Sequence, residues 1–306
     1  MFYYSRINKG SAIFKLMRKG ISACIVLYND GKIVEKCLKS IKDVVDEILI
    51  VHDGPCKNNT LDICRKYTNK IFIREHKGTC EFHQAFLYKK AKYEWILKID
   101  ADEFLTKELK KNIRKLIKNT KIDAYSFLWP YWENGKYLTK KGPRKMNLYR
   151  KSKISYIGFP NWGEPKINGK IEITDYRLGH HSPSGDPTKW RTFLNKDIRW
   201  ITFTQAQNYS KKITEFENFQ YKEKDFPKYV LIRNKYPLLT ALPFGVIAAL
   251  KSLIRINSSD TKIILKAIGL NFIRYLFLGY FIFRLKKNPN YSPCKKSFWE
   301  EYTKDR

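Results

Sequence analysis

Short apolar runs that alternate with stretches of helical period predict an α/β fold built on a mostly parallel, doubly wound sheet, with an apolar helical appendage at the C-terminal end. Two observations carry this. "ISACIVLY", "EILIVH", "KIFIRE" and "EWILKID" are strand-length runs, and each pair is separated by about one helix of sequence. The most apolar windows, "LLTALPFGVIAAL" and "IILKAIGLNFIRYLFLGYFIF", lie together beyond residue 236.

In chain order, "ISACIVLY" reads as a buried strand. A helix near residues 30–42 follows, with Ile33, Val34, Cys37, Leu38 and Ile41 on one face. "EILIVH" is a second strand, and "NNTLDICRKYT" opens a helix capped by Asn58 or Asn59. "KIFIRE", the helix "EFHQAFLYKKAK" and the strand "EWILKID" complete the first half. A helix over about 106–120 would turn Leu109, Ile113, Leu116 and Ile117 inward, with Glu103 at its start, where an acid suits the dipole. "DAYSFLWPYWENGKYLTKK", "RKMNLYRK" and "KIEITDYRLGHH" then read as strands joined by Asn-Gly turns. Helical sequence follows "SPSGDP". The expected organisation is an N-terminal extension (1–20), a catalytic domain (21–220, nucleotide half about 21–120, acceptor half about 121–220) and a helical tail (221–306).

The formal net charge is +31, from 60 Lys and Arg against 29 acids, which predicts an anionic partner: nucleic acid, a phosphorylated small molecule or an anionic membrane. Nucleic acid is not expected, because the chain has no base-reading basic helix, RNP pattern or zinc spacing. "VLYNDGK" makes a poor Gly-rich phosphate loop, which disfavours a nucleotidyltransferase. The six cysteines form no C-x-x-C pair and read as reduced, structural thiols. "MFYYSRINKGSAIFKLMRKG" has no continuous apolar core, so the catalytic region is expected on the cytoplasmic side of the cell membrane. Pro243 interrupts the first apolar window, and Lys266 and Arg274 the second. Lys262, Lys266 and Arg274 recur at multiples of four, the pattern of a helix lying on anionic headgroups; a helix pair packed on the catalytic domain is the competing reading, and a span the less favoured one.

In a doubly wound sheet, ligands bind beyond the carboxyl ends of the strands. The polar residues there are Asn29, Asp53, Lys77, and Asp100 with Asp102. Asp100-Ala101-Asp102 at a strand end suits a hard divalent cation, Mg²⁺ or Mn²⁺, bridging a carboxylate to a diphosphate.

With "ISACIVLYND", "EILIVHDGP…NNTLDIC" and "REHKGTCEFHQAFLYKKAKYEWILKIDADEFLT", the chain resembles family 2 glycosyltransferases of the GT-A type, strongly over about 20–120 and loosely over 121–220. The resemblance is to the branch that modifies lipid-linked and envelope glycans. It implies a Rossmann-like nucleotide-binding sheet and a nucleotide-diphosphate-sugar donor, UDP-linked by expectation. It places the base pocket at Leu27, Tyr28 and Asn29, the base and ribose acid at Asp53, a diphosphate turn at Lys77-Gly78, and an amide at Gln84, where His83-Gln84 replaces the usual Arg-Asn. Asp100 would face ribose or metal, Ala101 would sit between, and Asp102 would ligate the metal, with His180 as a third contact. Glu164 in "PNWGEP" takes the position of the general base, with Asp197 as the alternative. Arg144, Lys145 and Arg150 offer charge for phosphates, against simple solvation in so basic a chain, and Trp129, Trp132 and Trp162 offer faces for sugar rings, against core packing. The expected activity is an inverting transfer to a membrane-linked glycan or lipid. A polyprenyl-phosphate acceptor is the variant, and a non-catalytic nucleic-acid-binding protein the alternative from another class.

Overall fold

The computed structural model describes residues 18–77, 80–130, 132–133, 136–137, 143–156, 165–181, 190, 193–210, 213–216, 219–222, 228–255 and 261–293. They divide into two compact units, one within Lys9–Pro183 and one within Ser184–Lys304.

The first unit opens with strand β1 (Arg18–Leu27), helix α1 (Val34–Ile41), β2 (Glu47–Asp53), α2 (Thr60–Arg65), β3 (Ile71–Arg74), α3 (Glu81–Lys90) and β4 (Tyr93–Lys98). It continues through β5 (Glu103–Leu105), α4 (Lys107–Leu116), β6 (Ala124–Leu128), β7 (Trp132–Glu133), β8 (Lys136–Tyr137), β9 (Arg144–Arg150), β10 (Ile154–Tyr156), β11 (Lys166–Ile167) and β12 (Ile171–His180). Among the described residues, eight strands form one sheet in the order β3-β2-β1-β4-β9-β6-β12-β5. The first four are parallel, as the alternation of runs and helices predicts. Beyond them the sheet is mixed: β9 runs antiparallel to both β4 and β6, and β12 pairs parallel with β6 and antiparallel with β5.

Local chemistry explains the elements. Every residue of β2 is buried, as befits a central strand covered on both faces. Helix α1 buries Val34, Cys37, Leu38 and Ile41, the i, i+3, i+4, i+7 stripe of an amphipathic helix. The N-cap of α2 is Asn59, which makes no side-chain capping bond; Asn58 before it accepts from the Thr60 N–H at 3.0 Å. Thr106 caps α4, its hydroxyl accepting from the Leu109 N–H at 3.4 Å. Glu103 therefore does not begin that helix; it lies in β5 with no exposed surface.

The second unit contains a π-helix (Phe193–Thr202), α5 (Phe203–Ser210), the hairpin β13 (Ile213–Phe216) and β14 (Phe219–Lys222), α6 (Lys228–Lys235), α7 (Pro237–Arg255) and α8 (Thr261–Lys287). Helices α7 and α8 are antiparallel: Gly279 lies against the Pro237 carbonyl, Gly245 against Phe272, and the Asn271 amide donates to Ser252 Oγ at 2.8 Å. A Cβ at Gly279 would stand 2.5 Å from that carbonyl, so the crossing needs glycine. The helix through Pro243 is 19 residues long, longer than the apolar window around it. By length and composition alone, Ile264–Lys287 is long and apolar enough to cross a membrane. On α8, Arg274 of the expected basic stripe donates to Gln205 Oε1 at 3.3 Å.

Candidate active site

The ends of β1, β2, β3 and β4 form one edge, because the parallel register sets Leu27 beside His52 and Asp53 beside Arg74. Two clusters stand there. The first surrounds Asp53, whose side chain is nearly buried. One carboxylate oxygen accepts from the Lys77 N–H at 2.6 Å and from His83 Nε2 at 2.8 Å, and the other faces His76 Nδ1 at 3.2 Å. Burial alone would raise this carboxyl, but the hydrogen bonds from His76, His83 and Lys77 hold it well below the usual carboxylate range. The same hydrogen bond raises His76. Behind it, the Asn29 N–H donates to His52 Nε2 at 3.1 Å, so Nδ1 carries the proton and donates to the Gly54 carbonyl at 2.7 Å. Burial lowers His52 and keeps it neutral. Asn29 takes a left-handed conformation (φ 55°), and its Oδ1 accepts from the Lys57 N–H at 2.8 Å.

The residues expected to hold the nucleotide are thus placed as follows. Leu27 is core. Tyr28 is half-buried, its ring 4.9 Å from that of His76. Asn29 shapes the loop. Lys77 offers its backbone to Asp53 while its ammonium pairs with Glu75 at 2.7 Å. Gln84 is buried and donates to Cys80 Sγ at 3.3 Å. Asp53 spends both oxygens on the chain itself.

The linkage has a defined sign. A carboxyl depressed in the fold contributes stability above the ordinary carboxylate range and loses it as pH falls; an imidazole raised in the fold contributes below the ordinary imidazole range and loses it as pH rises. The cluster is therefore strongest between about pH 4 and about pH 6.5. Asp53→Asn is expected to cost about 2 kcal/mol in that window, with the gap to wild type narrowing at lower pH. Urea unfolding at stepped pH measures it, and a gap independent of pH would contradict the assignment.

The second cluster follows β4. Asp100, Ala101 and Asp102 form the turn into β5, and the Glu103 N–H closes it on the Asp100 carbonyl at 3.0 Å. Glu103 is the anchor. Its carboxylate accepts from the Asp100 N–H (2.9 Å), Trp129 Nε1 (2.7 Å), Asn147 Nδ2 (3.3 Å) and Lys145 Nζ (2.5 Å). Lys145 also bonds Asp100 Oδ2 at 2.5 Å. Lys145 and Asn147 lie two apart on β9 and so face the same side. Burial raises Glu103; Asp100, despite burial, is lowered by Lys145.

His180 reaches this turn through register. Antiparallel pairing of β12 with β5 sets His180 opposite Glu103, and the His181 N–H donates to the Asp102 carbonyl at 2.9 Å. His180 Nε2 then lies 3.3 Å from Asp102 Oδ2, its ring stacked 4.1 Å from Trp129. Gly179 permits the approach, since a Cβ there would meet the Phe104 ring at 2.3 Å.

Among the described residues, no three of His, Cys, Asp and Glu are grouped to hold a metal, and Asp100, expected as a third contact, pairs with Lys145 at 2.5 Å. Asp102 and His180 remain as a facing carboxylate oxygen and imidazole nitrogen. Mg²⁺ or Mn²⁺ is commonly held by one or two protein groups, with phosphate oxygens and waters completing the shell, so this donor pair fits such an ion. The basic residues expected to meet phosphates are engaged otherwise: Lys145 as above, Arg144 with Asp175 at 2.8 Å, and Arg150 beside Asp123 at 3.4 Å. Glu164, Gly78 and Trp162 lie outside the described residues. Asp197 sits in the π-helix of the second unit, where burial raises its carboxyl. The sequence does not single out His76 or the roles of Lys145 and Glu103; the third acid within "KIDADE" is the available signal for an internal cation.

The family model for glycosyl transferase family 2 matches residues 22–183, more than half of the chain. The chain belongs to glycosyl transferase family 2. In this family 2 chain the parallel 3-2-1-4 half and the mixed second half make up the GT-A sheet. An "uncharacterized glycosyltransferase" of Rickettsia bellii is 32% identical over 111 residues, 36% of this chain and 37% of that protein. The SPbeta prophage-derived glycosyltransferase SunS of Bacillus subtilis is 35% identical over 98 residues, 31% of this chain and 23% of SunS. The match thus spans little more than a third of the first relative and less than a quarter of the second. Among solved structures, S. aureus TarS is 14% identical, with 86% of this chain and 55% of that one covered and a TM-score of 0.41. Glucosyl-3-phosphoglycerate synthase of Mycobacterium tuberculosis, in complex with Mn²⁺, UDP-glucose and phosphoglyceric acid, is 11% identical, with 67% and 86% covered and a TM-score of 0.42.

Proposed function

We propose that this family 2 chain moves a sugar from a nucleotide-diphosphate sugar, UDP-linked by expectation, to a hydroxyl of a membrane-linked glycan or lipid, with inversion at the anomeric carbon. The observation that carries this reading is the Asp102–His180 pair, held at the end of β4 beside the nucleotide crevice by the buried Glu103 network. Tyr28 and His76 offer ring faces at the mouth of that crevice, and Asp53 holds His76 and His83 in place. Asp102 and His180 would hold the divalent cation, which when bound would neutralise the charge growing on the departing nucleoside diphosphate. Lys145 keeps Asp100 ionised and aimed, leaving its outer oxygen for the ribose. Glu164, placed by the family resemblance, takes the acceptor proton. The acceptor oxygen bonds to the anomeric carbon as the bond to the diphosphate breaks, and the electron pair leaves with the nucleoside diphosphate.

The acceptor side rests on the helical tail. The outer face of α7 carries exposed Leu238, Leu239, Leu242, Leu250 and Leu253, flanked by Lys235 and Lys251. Such a face suits the headgroup boundary of an anionic bilayer and would keep the chain on the cytoplasmic side of the cell membrane.

A thermal-shift panel of UDP-, GDP- and dTDP-sugars, with and without Mn²⁺, tests the donor. Stabilisation of about 2.7 kcal/mol is expected at a hundredfold excess of the right donor over its dissociation constant. Silence toward every donor, in wild type and Asp102→Ala alike, would sink the enzyme reading. Glu164→Gln is expected to lower turnover about 10²–10⁴-fold with donor binding intact. Retained turnover would favour a polyprenyl-phosphate acceptor, which is already ionised and needs no base.

A further inference from the structure

Arg233 in α6 is 3% exposed and, among the described residues, has no hydrogen bond and no ion pair; its Nε is buried without an acceptor. Its Cζ is ringed instead by Phe244 at 4.4 Å, Tyr275 at 4.9 Å, and Tyr209 and Tyr229 at 5.8 Å each. Ring quadrupoles attract the cation and offset part of its lost hydration. They do not satisfy five N–H donors, and a buried charge without a counter-ion is costly. The helices that carry the four rings, α5, α6, α7 and α8, contain no Asp or Glu.

The same region indicates what kind of anion would come. Tyr229 and Tyr236, one turn to either side of Arg233, are exposed, as is Ile232 beside it. The outer face of α7, the next helix, is apolar along its length and bare, with Leu239 77% exposed. A soluble anion would need no such surface, and a nucleic acid would look for exposed cations rather than a buried one. An amphiphile matches both halves: an anionic head for the guanidinium and hydrocarbon for α7.

We propose that Arg233 and its aromatic cage bind the phosphate of a membrane phospholipid whose acyl chains lie along the outer face of α7. A planar guanidinium pairs with phosphate oxygens through two parallel N–H bonds, which a lysine does not reproduce. This deepens the membrane part of the proposed function and rests on that reading.

The full chain is floated with vesicles of phosphatidylcholine alone and with one-third phosphatidylglycerol, re-isolated in mild detergent, and its retained phospholipid counted by native mass spectrometry. Wild type is expected to keep one phospholipid per chain. Arg233→Gln should lose retention about tenfold, whereas Lys118→Gln, the same charge change at an exposed site of the first unit, should keep it. If Arg233→Gln does not fold, Arg233→Lys is read instead, with the same expected loss. Leu239→Ser/Leu242→Ser, on the surface, should weaken flotation at unchanged circular dichroism. Equal retention by wild type and the Arg233 variant overturns the site, as does displacement of the lipid by millimolar inorganic phosphate, or retention of a protein instead of a lipid. No flotation of wild type overturns the membrane reading as well. Stabilisation by nucleotide sugars, measured in parallel, reports separately on the catalytic reading.

Discussion

Asp102→Ala is expected to lower sugar transfer by about 10²–10³-fold, the usual loss when a group that stabilises developing charge is removed. The Asp102 carboxylate lies 3.3 Å from the His180 imidazole, so under the proposed function its loss would leave a single protein group to hold the cation. The fold should barely respond, because Glu103 and the Asp100 backbone hold the turn without the Asp102 side chain. The two effects are read separately: nucleoside diphosphate release for turnover, and thermal unfolding without ligand for the fold. The enhancement of donor binding by Mn²⁺ should disappear in the same variant. A variant that keeps turnover within a factor of three, or that unfolds far below wild type, would remove Asp102 from the chemistry.

Lys145→Met is expected to cost about 3–5 kcal/mol of stability, because it removes the counter-ion of a carboxylate that has no exposed surface. Glu103 would then carry an unpaired charge or take up a proton, and either outcome disturbs the bonds it accepts from Trp129 and the Asp100 N–H. For a unit of this size the melting temperature should fall by about 6–20 °C. The double variant Lys145→Met/Glu103→Gln is expected to recover part of that loss, since a neutral amide no longer needs the ammonium. Additive losses in the double variant, or a Lys145→Met chain that melts with wild type, would mean that the buried pair does not hold the turn. Donor affinity should weaken with stability here, unlike in Asp102→Ala, because Asp100 loses its orientation.

Much of the catalytic unit was legible along the chain because its signals are local. Strand runs, the α1 stripe, and the rule that polar residues beyond parallel strands line the crevice all act over fewer than fifteen residues. They bring Asn29, Asp53 and the Asp100–Asp102 turn to one edge, where the sheet has them. The misreadings have equally specific causes. An acid ahead of a helical stretch reads as a helix start, which points to Glu103, but Thr106 is the cap, and a hydroxyl in that position outranks a dipole argument. Helical spacing puts Arg274 in line with Lys262 and Lys266 but says nothing of its bond to Gln205. Lys145 was one cation among 60 Lys and Arg until β9 paired with β4 and β6.

The sequence by itself determined the family, the parallel half-sheet, the strand-end acids and an apolar, basic tail, because periodicity and motif spacing are properties of neighbours in the chain. The tertiary structure alone decided which partner each charge has. His180 meets Asp102 through the β12–β5 register, Lys145 reaches Asp100 across 45 positions, His83 reaches Asp53 across 30, and Arg233 finds four rings. The Coulomb energy of a pair depends on separation and burial in space, and neither is written in the distance between two residues along a chain.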